Sequence, residues 1–121
     1  MIEIVPDLPS NIFGAKAVGK ITSSDYETVL VPAVEKAIRI HGSVRFLFLL
    51  GPEFDGYSPG AMWHDMKLGF AHLKAWKKLA VVTDHEWLAG ATRVFAFAMP
   101  CPVQVFANSA FTEAVKWVSS D

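Results

Sequence analysis

Val44–Leu50 reads VRFLFLL, a run of valine, phenylalanine and leucine that has no polar face. Such a run is typical of a strand that is buried on both sides, in the middle of a parallel sheet covered by helices. Glycine and proline are frequent in residues 51–60, which predicts a loop directly after the strand. Ligands of open α/β sheets bind beyond the carboxyl ends of the strands, so we expect a functional site near residues 51–63.

The sequence on either side of this strand alternates further strands with helices. Short apolar runs predict strands at 2–5, 12–21, 79–83 and 102–107, of which the first two form an antiparallel edge hairpin. Helices are predicted from the capping box Ser24-Asp25-Tyr26-Glu27 through 31–40, then at 59–73, at 85–99 and from Asn108 onward. The sequence therefore predicts one α/β domain over 1–121, with a five-stranded, mostly parallel sheet and four helices.

The composition excludes several classes of protein. Hydrophobic residues make up 52% of the 121 residues and charged residues 19%, which is typical of a folded domain and not of a disordered chain. The 11 basic and 12 acidic residues give a net charge of −1. No basic surplus is therefore present to bind the phosphates of a nucleic acid.

The cysteine content and the first residues indicate the compartment. Cys101 is the single cysteine, which excludes an internal disulfide and a cysteine metal cluster and favours a reducing compartment. The acidic, proline-interrupted start MIEIVPDLP is unlike a signal peptide, and no apolar stretch approaches the roughly 18 residues that span a bilayer. We therefore expect a cytoplasmic protein.

The residue pattern gives little support to a catalytic or metal site. The string GYSPG around Ser58 matches G-x-S-x-G, but Pro59 removes the backbone N–H that an oxyanion hole needs directly after the serine. The histidines and acids at 64, 65, 72 and 84–86 lack the spacing that would bring three or four ligands around one zinc ion. We expect Ser58 to cap a helix, and we expect no catalytic residue, no metal and no cofactor.

The helix predicted over 85–99 is apolar on nearly all sides. After Glu86 its one charged residue is Arg93, whereas a helix that covers a sheet normally carries a polar outer face. Such a helix is either enclosed in the core or presents apolar surface to a partner. We expect an apolar ligand-binding groove between the second and third helices, lined by Trp63, Met66, Phe70, Trp87, Phe95 and Phe97.

A tryptophan beside lysines forms a second candidate surface. Trp76, Lys77 and Lys78 are predicted to lie in a loop between a helix and a strand. Tryptophan beside lysine is the composition of an anchor at a membrane interface. We therefore expect these three residues to contact a membrane surface.

Three segments occur in a recognisable order: Trp63-His64-Asp65-Met66-Lys67, then Leu79-Ala80-Val81-Val82-Thr83-Asp84, then Trp87. This pattern, W-x-D-x-K followed by A-V-V-x-D-x-x-W, resembles the SpoIIAA-like family, whose fold is shared with STAS and CRAL-TRIO (Sec14-type) lipid-binding domains. The resemblance extends over nearly the whole chain. It implies a small domain with a mixed sheet and helices that open and close, which binds a hydrophobic ligand or associates with membranes.

One position departs from the pattern of the STAS group. Its sporulation anti-sigma antagonists carry a phosphorylated serine after an aspartate, in a D-S-x-G motif at the start of the second helix. Ser58 stands near that position, but Tyr57 precedes it. A phosphoserine switch at Ser58, within a signalling module that docks a regulatory protein, is therefore the alternative function.

We predict a non-catalytic domain that binds a hydrophobic small molecule, or associates peripherally with a membrane, through the apolar groove. Three alternatives remain. They are the STAS-type signalling module, a homodimer that buries the same apolar surface, and a small serine hydrolase that uses Ser58.

Overall fold

The computed structural model describes residues 1–58, 75–84, 86, 90 and 101–120. The strands are β1 (Ile2–Ile4), β2 (Phe13–Ala17), β3 (Gly19–Ile21), β4 (Val44–Leu50), β5 (Phe54–Tyr57), β6 (Trp76–Thr83) and β7 (Val103–Phe106). The helical elements are α1 (Ser23–Asp25), a π-helical turn (Tyr26–Leu30), α2 (Val31–His41), a 3₁₀ turn (Asn108–Ala110) and α3 (Phe111–Ser119).

The main sheet has five strands in the order β1-β2-β4-β6-β7. β1 pairs with β2 in antiparallel fashion, and the pairs β2–β4, β4–β6 and β6–β7 are parallel. The predicted mixed sheet with an antiparallel N-terminal edge is therefore confirmed. β4 lies in its centre, as its sequence indicates.

Both faces of β4 are buried, and alternate residues serve different layers. Phe46 and Phe48 pack in the larger core cluster with Leu30 and Val34 from the helical segment before β4. Leu47 points to the opposite face, where it packs with residues of β6 and α3. This double cover explains why VRFLFLL has no polar face.

The helical segment before β4 begins earlier than predicted. The N-cap is Thr22, whose N–H donates to Asp25 Oδ2 over 2.8 Å, while Asp25 N donates to Thr22 Oγ1 over 3.3 Å. The capping box predicted at Ser24 and Glu27 is therefore wrong. The spacing is the same, but threonine and aspartate provide it two residues earlier.

Pro32 explains the π-helical turn that precedes α2. A proline inside a helix lacks an N–H, and its ring clashes with the carbonyl four residues earlier. The turn Tyr26–Leu30 is wider, and the N–H of Val31 donates to Tyr26 O instead. Gly42 then ends α2 with φ of 76°, the left-handed conformation that glycine adopts without a steric penalty.

The strands differ from the sequence prediction chiefly in three places. The strand expected over 12–21 is interrupted at Val18, and its second part, β3, pairs with β5 in a separate two-stranded parallel sheet. β5 lies within the segment that was predicted to be a loop. β6 begins at Trp76 and not at residue 79.

The described residues contain two of the four predicted helices, the one that leads into β4 and the one at the end of the chain. The helices predicted over 59–73 and 85–99 lie outside the described residues, apart from Glu86 and Gly90, which are helical. Within the described part of the chain, no helix is long and apolar enough to cross a bilayer.

Candidate functional site

The six residues predicted to line a groove between the second and third helices all lie outside the described residues. They are Trp63, Met66, Phe70, Trp87, Phe95 and Phe97. That site therefore stays a prediction from the sequence.

The carboxyl edge of the sheet, where a site was expected, contains a structural hydrogen bond. Asp84 follows β6, and its Oδ1 accepts the backbone N–H of Asn108 over 2.9 Å. This bond fixes the start of the 3₁₀ turn after β7. The described parallel strands β2, β4, β6 and β7 follow one another across the sheet in the order of the sequence. Their order therefore contains no reversal of the kind that forms a binding crevice in doubly wound folds.

Ser58 lies just after β5, and its backbone is tied to the small sheet. Its N–H donates to Ile21 O over 2.8 Å, which continues the pairing of β3 with β5. The residues that would form the helix capped by Ser58 lie outside the described part of the chain. Its predicted roles as a helix cap or as a phosphosite therefore stay predictions.

Trp76 does not lie in a surface loop, so the membrane-anchor prediction is wrong for this residue. It is the first residue of β6, its side chain is 8% exposed, and its ring centroid lies 6.1 Å from that of Phe46. The strand begins with a bulge, in which Val44 pairs with Trp76 and Arg45 with Lys78, so Lys77 is the extra residue between them and is exposed. Two lysines directly after Trp76 therefore resemble a loop, although Trp76 is part of the sheet.

Lys78 also contacts other residues of the protein. Its Nζ donates to Trp117 O over 2.8 Å and lies 4.7 Å from the centroid of the Trp117 ring. Of the three residues predicted to form a membrane surface, Lys77 alone is exposed.

Arg45, the one charged residue in VRFLFLL, joins Lys78 at the end of α3. It is 7% exposed, and its Nη1 donates to Val118 O over 2.9 Å and to Ser120 O over 2.7 Å. Arg45 and Lys78 face each other across β4 and β6. Cations at this position satisfy the last carbonyls of a helix and suit its negative end. Sequence analysis did not predict this role, although a charge within a buried strand was its signal.

Cys101 is half-buried, and burial raises the pKa of its thiol above the ordinary value. A raised pKa lowers the fraction of reactive thiolate. Within the described residues, no group of three or more His, Cys, Asp and Glu side chains is placed to hold a metal ion.

A groove of about 320 Å³ lies at the opposite edge of the sheet, where β2 and β4 begin. One wall is a face of α2, and the other is formed by the end of β1 and the chain that leads into β2. Its described lining residues are Ile4, Ser10, Asn11, Ile12, Phe13, Ala33, Lys36, Ala37, Ile40, His41, Ser43, Val44 and Arg45. We call this site the α2 groove.

Two isoleucines on the walls of the α2 groove are largely exposed. Ile40 of α2 is 63% exposed, and Ile4 of β1 is 50% exposed. Asn11 fixes the second wall, because its Nδ2 donates to Ser119 O at the end of α3 over 3.2 Å. Sequence analysis missed the groove because the two walls come from segments about 30 residues apart. The feature of the sequence that could have indicated the groove is Ile40, an apolar residue between Arg39 and His41 near the end of the helix.

The fold and the α2 groove define a small mixed-sheet α/β domain with a solvent-open, mostly apolar cleft. The SpoIIAA-like family model matches residues 12–119, so the chain belongs to the SpoIIAA-like family.

The fold is similar to that of an uncharacterised protein of the DUF3478 family from Shewanella loihica PV-4, whose crystal structure has a SpoIIAA-like fold. The two sequences are 33% identical, the similarity covers 97% of this chain and 93% of that chain, and the TM-score is 0.77. No curated protein matches the chain. The wider relation to CRAL-TRIO domains stays a prediction.

Proposed function

We propose that this SpoIIAA-like domain is a non-catalytic module that binds a short hydrophobic molecule. The observation that carries the proposal is the α2 groove, whose volume of about 320 Å³ lies at the lower end of the range for small-molecule pockets, roughly 300–1,000 Å³. A pocket of this size suits a short chain or a single ring.

The exposed isoleucines support the proposal energetically. Covering a large aliphatic side chain stabilises a complex by up to roughly 1.5–3 kcal/mol relative to leaving it in water. Ile4 and Ile40 stand on opposite walls of the groove, so one ligand can cover both. The groove thus offers an apolar driving force that the folded chain leaves unused at these two positions.

Methyl NMR tests the proposal, with 1-octanol as the probe. Ile4, Ile12 and Ile40 line the α2 groove, whereas Ile2 and Ile21 are buried in the core and Ile38 lies beside it. In protein labelled at the isoleucine δ1 methyl groups, we expect 1-octanol to shift the signals of the first three and to leave the other three in place. If no isoleucine signal moves up to the solubility limit of octanol, the proposal is wrong.

Peripheral membrane association is the second candidate, and it is supported by the apolar sequence of 85–99 and by the family resemblance. Trp76 is buried and Lys78 is hydrogen-bonded to Trp117 O, so Lys77 is the exposed member of the predicted membrane surface. If that surface binds lipid, Lys77→Glu should lower co-sedimentation with anionic phosphatidylserine vesicles. Lys116→Glu is the matched control, because Lys116 is also an exposed lysine but lies on α3. Equal sedimentation of the two variants would contradict binding through this surface.

A further inference from the structure

The charged side chains that line the α2 groove, Lys36 and Arg45, are both cationic. Lys36 and His41 come from α2 and Arg45 from β4, and the described lining residues include no aspartate or glutamate. This bias is local, because the whole chain has a net charge of −1. A groove with basic groups beside apolar walls is complementary to an anion that carries a hydrophobic part.

The three basic residues are not equally available to a ligand. Arg45 is buried and donates to carbonyls at the end of α3. Lys36 and His41 are exposed, and no described carboxylate forms an ion pair with either. These two side chains are therefore free to approach the charged end of a ligand.

The position of the basic groups on α2 also fits a ligand that has one charged end and one apolar end. Residues 33, 36, 37, 40 and 41 line the groove and follow the spacing of one helical face. Ile40 and Lys36 stand one turn apart on that face, so an apolar contact and a charged contact lie side by side.

We propose that the α2 groove binds a short amphiphilic anion, with its aliphatic part against Ile4, Ile12 and Ile40 and its carboxylate or similar head group at Lys36 and His41. This inference rests on the proposed function and specifies the chemical class of the ligand. The hydrophobic contacts supply most of the affinity, and the charged contact supplies selectivity for anions over neutral molecules of equal length.

A comparison of octanoate with 1-octanol tests the inference, because the two probes share a chain length and differ in charge. We expect octanoate to shift the Ile4, Ile12 and Ile40 methyl signals with at least about threefold higher affinity than octanol, the effect of a modest exposed ion pair. Raising the salt concentration should remove most of this difference by screening the charges.

Lys36→Gln should lower the affinity for octanoate toward that for octanol and leave octanol binding unchanged. Arg39→Gln is the matched control, because Arg39 is exposed on α2 and does not line the groove. A general effect of helix charge would weaken octanoate binding in both variants, and that result would overturn the assignment of the head group to Lys36.

Two other outcomes separate this inference from the proposed function. Equal affinity of the wild-type protein for both probes would overturn the preference for an anion and leave the hydrophobic site intact. The absence of shifts with either probe would overturn both the inference and the proposed function.

Discussion

Leu47 shows how a single residue of β4 contributes to the fold. It is fully buried and packs on Ala80, Val82, Ala114 and Val118, the residues that join the sheet to α3. Removing a buried leucine side chain costs both the transfer free energy of the lost atoms and the cavity that remains.

We predict that Leu47→Ala lowers the free energy of unfolding by roughly 2–5 kcal/mol, as measured by urea denaturation. Leu49→Ala is the matched control, because Leu49 is on the same face of the same strand but half-buried, and its loss should be smaller. A loss below about 1 kcal/mol for Leu47→Ala would show that the strand is not central to the core.

Asp25 makes the stability contributed by the capping box depend on pH. Partial burial on its own would raise the pKa of the Asp25 carboxyl, but hydrogen bonds from Thr22 and the nearby N-terminal ammonium outweigh it and lower the pKa below the ordinary value. Because the folded-state pKa is lowered, the ionised carboxylate stabilises the fold at pH values above the ordinary pKa. This contribution is lost as the pH falls through the folded-state pKa.

We therefore predict that the difference in unfolding free energy between the wild type and Asp25→Asn is constant above about pH 5 and shrinks as the pH falls further. Denaturation curves between neutral and acidic pH provide the measurement. A difference that stays constant down to the acid transition would contradict the role of the ionised carboxylate.

At the level of elements, Arg45 and Lys78 bind the end of α3 to the central strands. Arg45 is buried and donates to two carbonyls, whereas Lys78 is half-buried and donates to Trp117 O and Ser120 Oγ. Hydrogen bonds from charged donors contribute more than neutral ones, and buried carbonyls that lose their donor are costly.

Arg45→Met should therefore lower the free energy of unfolding by about 1.5–3 kcal/mol, and Lys78→Met by about 1 kcal/mol or less. Hydrogen exchange should also accelerate at the amides of the last turn of α3 in Arg45→Met. If the two substitutions have equal effects and exchange in α3 is unchanged, these side chains do not hold the helix.

The elements also show what a sequence can reveal. The continuous apolar run of β4 and the helical spacing of 108–119 were sufficient to predict their positions. Burial on both faces leaves an unbroken apolar run, and burial on one face leaves a periodic one. The start of β6 was missed, because the strand begins with a bulge at Lys77 and the two lysines after Trp76 make the segment resemble a polar loop. The pairing of β3 with β5 was missed because parallel pairing of distant segments leaves no local pattern.

At the scale of the whole molecule, the α2 groove could not be predicted because it too depends on contacts between distant segments of the chain. Its walls come from residues 4–13 and 33–45, and only the parallel register of β2 beside β4 brings them together. The predicted groove between the second and third helices rests on apolar residues alone. The two sites lie in different segments of the chain and can be distinguished experimentally.

Intermolecular NOEs between octanoate and the protein test the central claim most directly. Our account predicts NOEs from the octanoate chain to the δ1 methyl groups of Ile4, Ile12 and Ile40, with none to the core methyl groups of Ile2 and Ile21. The contradicting result is a set of NOEs confined to the aromatic protons of Trp63, Trp87, Phe95 and Phe97. That result would place the ligand in the groove predicted from the sequence and leave the α2 groove without a ligand.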